Sequence, residues 1–295
     1  MAVSVISIGA SVASTFIASN IGGVTGQIIG AVVGTVIAGA LSGQEQQEQE
    51  LDQIAQQQAS ALLNKASNNA PLPVVYGLRK VGGTRVFMET SGTDNEFLHV
   101  VIAMSEGEIN SFENVYLNDI ISTDSRFSGV LNVYTHTGAD NQTADSNLVS
   151  DVANWTSAHR LRGTAYVYCK LKFDQDAYSG GLPTITADIK GSKVYDPRTS
   201  TTAWSDNPIL CIRDYLTNTR YGRGIETSLI DDASFIASAN YCDATVTIGG
   251  VTKKRYTTNG LVNTSQGSMT ILKQLLTACR GFLVFSGGKY KIIID

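Results

Sequence analysis

Residues 191–224, GSKVYDPRTSTTAWSDNPILCIRDYLTNTRYGRG, constrain the fold more than any other stretch. They read strand, turn, helix, turn. Val194 and Tyr195 finish a strand. Asp196 and Pro197 break it, because proline fixes φ and donates no backbone hydrogen bond. Ser205, Asp206 and Asn207 then form an N-cap cluster, with Pro208 at the first helical position. Leu210, Cys211, Asp214 and Tyr215 recur at helical spacing. Asn218 and Gly222 lie where a helix stops and turns.

The segments on either side differ in pattern. Residues 74–76, 83–88, 97–104, 107–117, 164–173 and 184–190 are β-branched or aromatic runs between turn residues, and read as strands. The run 97–104 is apolar except for His99, which predicts a buried strand. Residues 123–162 are polar and irregular, an insertion with a short helix at 148–158. Beyond Gly224, residues 231–242 read as a helix with Phe235, Ile236 and Tyr241 inward. Residues 245–251 and 255–263 read as a hairpin turning at Gly249 and Gly250. Ser265 or Ser268 caps a further helix that Gly281 stops, and a last hairpin turns at Gly287 and Gly288. The chain stops inside an apolar strand, which predicts a fragment or the ordered part of a longer protein. The class is α+β, mainly β. Its units are 71–190, a β-rich domain carrying the insertion at about 123–162, and 191–295, a second α+β domain continuing past the chain end.

The start of the chain is of another kind. Residues 1–43 hold no charged side chain. Within them Gly22, Gly26, Gly30 and Gly34 recur every four residues, and Ala38 continues the series. On a helix these residues form one small-residue face, which lets another backbone approach closely. The 21 residues from 21 to 41 would span about 30 Å, the thickness of a bilayer core. Three readings of this glycine-zipper segment stay open: packing against protein, residence in a channel, or insertion into a membrane. Residues 44–70 begin with eight glutamines and four acids, and read as a solvated helical linker ending in a loop.

No catalytic constellation stands out. His99, His136 and His159 are scattered, and His99 reads as a satisfied core histidine. No metalloprotease, nucleophile-elbow, phosphate-loop or EF-hand pattern appears, and Asp174 and Asp176 are too loosely placed for a calcium loop. Cys169, Cys211, Cys242 and Cys279 lack metal spacing and read as buried free thiols. No cofactor is expected. The net charge of −4, with no basic block, argues against direct sequence-specific nucleic-acid binding. Only 16% of residues are charged against 43% hydrophobic, which suits outer faces covered by neighbours.

The motif stretch resembles a segment of the central tail-hub proteins of long-tailed bacteriophages, both the tip attachment proteins of lambda-like tails and the hubs of gene-transfer-agent-like tails. The matching residues are Tyr195, Asp196, Pro197 and Arg198; Trp204; Asn207 and Pro208; Asp214, Tyr215 and Leu216; and Arg220, Tyr221, Gly222, Arg223 and Gly224. Pro73–Gly77 (PVVYG), followed by Val81-Gly82-Gly83, resembles the opening of the same module. The resemblance covers about residues 71–295. It implies tube-like β-barrel or sandwich hub domains and a structural, non-enzymatic role in the virion. The implied assembly is a homotrimeric ring at the tail tip that caps the tube, with tube proteins, the tape measure and a distal receptor-binding fibre as partners. The ring would assemble in the host cytoplasm and open during genome ejection. On this reading 208–218 and 220–224 form a structural joint, in which Tyr195, Trp204 and Tyr221 pack while Arg198, Arg213 and Arg220 pair with acids. The glycine-zipper opening departs from lambda-like tips and is closer to the gene-transfer-agent branch. It leaves an alternative, a membrane-active protein whose residues 1–43 enter the host envelope.

Overall fold

The computed structural model describes residues 62, 64–66, 70–178 and 180–295. The glycine series at Gly22, Gly26, Gly30, Gly34 and Ala38 and the Gln/Glu-rich stretch lie outside them. The chain divides into two units, Met1–Ser60 and Ala61–Asp295, and the described residues all belong to the second.

This unit is mainly β. Its first strands are β1 (Lys65–Ala66), β2 (Pro73–Tyr76), β3 (Leu78–Val81), β4 (Thr84–Ser91), β5 (Phe97–Glu106) and β6 (Ile109–Leu117). Then come β7 (Ile120–Ile121), β8 (Leu131–His136), helix α1 (Ser146–Asp151), β9 (Thr164–Lys172) and β10 (Ile185–Asp196). One sheet has the order β1-β4-β5-β9-β8, antiparallel except for β1. In the second sheet β10 pairs with β6 along one edge, and with β3 along the other. The β-rich part curls into a half-barrel. Its interior is filled from both sheets by side chains such as Val100, Ile102, Met104, Val167, Ile185 and Ile189. Strand β5 is buried on both faces, which explains why its sequence is an apolar run without alternation.

The stretch 123–162 contributes to the sheet and its cover. It supplies edge strand β8, and α1 sits on the outer face of the first sheet. There Leu148, Val152 and Trp155 pack on Tyr166 and Tyr168. Asp145 caps α1 by accepting from the Leu148 N–H. The helix therefore starts before the expected position 148.

The remaining elements are β11 (Thr201–Trp204), α2 (Pro208–Thr217), α3 (Asp232–Asp243), β12 (Thr245–Ile248), β13 (Val251–Lys254), β14 (Gly260–Asn263), α4 (Ser268–Thr277), β15 (Gly281–Ser286) and β16 (Lys289–Ile294). Helices α2, α3 and α4 share a core with β2, β14 and β16. Several local expectations are corrected. The hairpin at Gly249-Gly250 joins Thr245–Ile248 to Val251–Lys254 and goes no further. Gly260–Asn263 instead pairs with Pro73–Tyr76, far back in the chain. Helix α4 follows Gly267 without a side-chain cap, and the left-handed residue after it is Arg280 at φ 55°, not Gly281. Tyr241 is exposed, not inward, with the Arg255 guanidinium 4.0 Å above its ring. All four cysteines are free and buried, as read from their spacing.

Candidate functional site

The motif residues assemble a joint where β2, β10 and α2 meet. Asn207 is wholly buried at the N-cap of α2. Its side-chain oxygen accepts from the Ile209 N–H at 3.0 Å and its amide donates to the Ala239 carbonyl at 2.9 Å. One residue thus starts α2 and ties it to α3. Pro208 follows at the first turn, where a missing N–H costs nothing.

Asp214 projects from α2 into the joint. It accepts from the Tyr76 hydroxyl at 2.6 Å and the Tyr221 hydroxyl at 2.8 Å. Burial pushes its carboxyl above the ordinary range, though both tyrosines pull the other way. Burial also raises Tyr76 and Tyr221, with the Asp214 charge adding to it. These hydroxyls therefore stay protonated and act as donors.

The turn after α2 closes on its last carbonyls. Arg223 N–H donates to Tyr215 O and Ile225 N–H to Leu216 O, both at 2.8 Å, while Gly224 N–H reaches Asn218 O at 3.0 Å. A Cβ at Gly222 would fall inside 3.0 Å of the Tyr215 carbonyl, so only glycine fits there. Tyr215 itself is buried. Arg220 pairs with Glu106 at the end of β5 and lies against Gly163, where a side chain would collide with it.

Around the joint, Arg198 grips Asp196 with two nitrogens and reaches Asp243 at 2.8 Å. The Arg198 hydrogen bonds hold Asp196 below the usual carboxylate range, against its burial. Pro197 lies in the turn from β10 to β11. Arg213 pairs with Asp232 at 3.0 Å and stacks over the ring of Tyr195, a residue 38% exposed rather than packed away. Trp204 donates to the Gly77 carbonyl at 3.2 Å. The same carbonyl accepts from Gly191 N–H at 2.8 Å, which ties the β2–β3 bend to β10. Thus the structure brings Tyr195, Asp196, Pro197, Trp204, Asn207, Pro208, Asp214, Tyr215, Arg220, Tyr221, Gly222 and Gly224 around one junction. Tyr76 joins them, although the sequence offered no sign that it meets Asp214.

The joint offers no catalytic geometry. The nearest thing to a dyad lies elsewhere, where Ser91 Oγ is 2.7 Å from His99 Nε2 and Tyr168 Oη is 2.7 Å from His99 Nδ1. Burial lowers the His99 pKa, and both ring nitrogens are satisfied, as a core histidine requires. No cavity lined by Ser91 or His99 stands out among the described residues. Among the same residues no group of three or more His, Cys, Asp or Glu side chains could hold a metal, and no helix is long and apolar enough to cross a membrane.

The sequence is similar to central hub and tip attachment proteins of phage tails. It is 25% identical over 235 aligned positions to baseplate hub protein pb3 of Escherichia phage T5, covering 58% of this chain and 24% of that protein. It is 26% identical over 167 positions to tip attachment protein J of Escherichia phage SECphi27, covering 50% of this chain and 13% of that one. The chain thus spans a quarter or less of the length of these relatives. Among solved structures it matches a chain of the virion of a native gene transfer agent particle, with a TM-score of 0.46 and 19% identity, over 78% of this chain and 54% of that one. No protein-family model matches.

Proposed function

We propose that this chain is a structural hub of a phage tail tip. Three copies form a ring of tube-like β-domains that caps the tail tube and links it to the tape measure and a distal receptor-binding fibre. It assembles in the host cytoplasm and works by assembly and opening, not by catalysis. The observation that carries this reading is the relation to a baseplate hub protein and a tip attachment protein over half or more of the chain. The joint fits the role, because buried charge-assisted bonds between distant segments favour one rigid arrangement over many. Antibody raised against residues 71–295 tests it on intact particles. Label at the distal end of the tail axis is the expected result; label on the head or along the tail overturns the reading.

A second reading rests on the uncharged stretch 1–43 and its small-residue series from Gly22 to Ala38. Here this segment enters the host envelope during genome delivery. Removing residues 1–60 separates the two. The hub reading expects assembly to persist without them, and the membrane reading expects liposome binding to vanish with them.

A further inference from the structure

The half-barrel has an opening. Among the described residues strand β8 pairs only with β9, and β6 pairs with β10 and, at Tyr116 and Leu117, with the two residues of β7. Between β6 and β8 one bond closes one end, from Ile109 N–H to the Thr137 carbonyl at 2.9 Å. Beyond it the strands part around a cavity of about 400 Å³. Phe112, Val115, Ile121, Leu131 and Val133 give the lining its apolar side chains. Glu113 is the one charged residue in the lining. Ser122 N–H takes the Val115 carbonyl at 2.8 Å, so the open part of the β6 edge lies between Ile109 and Val115. That span facing the β8 edge, over an apolar floor, can receive an extended segment.

The same chain carries a projecting element. The β12–β13 hairpin is held at its base. There Lys254 meets Asp206 at 2.7 Å and Asp243 at 3.1 Å, and Arg255 N–H bonds the Ala244 carbonyl. At the tip, Ile248 and Val251 are 61% and 64% exposed. Neither joins a core cluster, and Gly249 and Gly250 have open space where a side chain would stand. A two-stranded ribbon with an exposed apolar tip is marginal alone and gains from a surface to pack on. Lys253, next to the base and opposite Val246, has no carboxylate partner among the described residues.

We infer that the β12–β13 hairpin of one copy seats in the opening between β6 and β8 of the next, with Ile248 and Val251 on the apolar floor and Lys253 against Glu113. This inference rests on the ring reading and names the surface that makes the ring. Arm and opening are different patches, so the contact is head-to-tail, the kind that closes into a ring when its rotation divides a full turn. The occupant is a second copy because the arm, the opening and their opposite charges all belong to this chain. In the free chain Glu113 accepts from the Ser111 hydroxyl at 2.7 Å on one oxygen and faces the partly exposed Lys190 at 3.3 Å on the other, and its exposed side leaves room for a second cation.

The test uses the full chain and sedimentation velocity across a concentration series, with circular dichroism to confirm that each variant folds. Ile248→Asp with Val251→Asp weakens association at least a hundredfold. Glu113→Lys and Lys253→Glu each weaken it about tenfold, and the two together restore it. If the wild type assembles and the arm variant assembles equally well, this inference falls and the ring reading stands. If the arm variant is impaired but the paired charge reversal fails to rescue, the assignment of the arm to this opening is overturned. A wild-type chain that stays monomeric at every concentration overturns the inference and the ring together.

Discussion

The Tyr76 hydroxyl donates to Asp214 at 2.6 Å across a separation of 138 residues. With Tyr221 as a second donor, this carboxylate links a strand at the start of the folded unit to a helix near its middle and to the turn after that helix. Asp214→Ala leaves two buried hydroxyls without an acceptor and opens a small void. Such losses run to about 1–3 kcal/mol for each orphaned group, so a total of about 2–6 kcal/mol is expected. Urea unfolding measures it. A loss below about 1 kcal/mol would mean that the joint is not a stabilising centre.

The same residue gives a pH signature. Burial raises the Asp214 pKa in the folded chain above its unfolded value. The folded state therefore binds that proton more tightly, and the contribution of this group is most favourable at low pH and declines as pH rises through the raised value. Asp196 has the opposite sign, because its folded pKa is lowered and its contribution is lost on acidification. Asp214→Asn removes the first effect alone. As pH falls from neutral toward the ordinary aspartate value of about 4, wild type gains stability relative to Asp214→Asn. No gain over that range contradicts the assignment.

Gly191 separates a packing requirement from a backbone one. A Cβ there would lie inside 3.0 Å of the Val75 carbonyl oxygen, where β2 crosses β10. Gly191→Ala is expected to cost about 3 kcal/mol or more, because backbone must shift. Gly129 has φ +75° and open space around it, so Gly129→Ala costs only the left-handed strain of about 1–2 kcal/mol. Chemical denaturation of the two variants in parallel decides the matter, and equal costs would contradict the crossing.

The cysteines predict a chemical silence. All four are buried, and burial pushes the Cys169 thiol up to about 12. Cys211 is also raised, by burial first and then by the Asp214 charge. Native protein treated with iodoacetamide at about pH 7.5, below the ordinary thiol range, should remain unmodified by intact mass. Unfolded protein should take four adducts, one for each cysteine. Rapid labelling of native protein would show that the helical core opens more readily than its packing implies.

Much of the fold was legible locally. The strands at 97–104 and 164–173 announced themselves by β-branched and aromatic runs. The start of α2 was written in Asn207-Pro208, and the bend after β10 in Asp196-Pro197. Short strands were harder. Leu78–Val81, Leu131–His136 and Thr201–Trp204 are strands because of the edges they meet, and their own residues carry little pattern. Gly260–Asn263 was drawn toward a local hairpin by Gly249-Gly250, yet pairs with Pro73–Tyr76 near the start of the unit. In the candidate site each motif residue was visible in the sequence, and Arg198, Arg213 and Arg220 find acids as expected. What could not be read was the meeting of Tyr76, Asp214 and Tyr221, since no local spacing records a contact made by tertiary packing.

The ring itself is tested most directly by its rotational symmetry. Cryo-electron microscopy of the full chain, purified or at the end of its own tail, measures it. A closed threefold ring coaxial with the tail tube is the predicted result. A monomer, or a copy sitting off the tail axis, would contradict it.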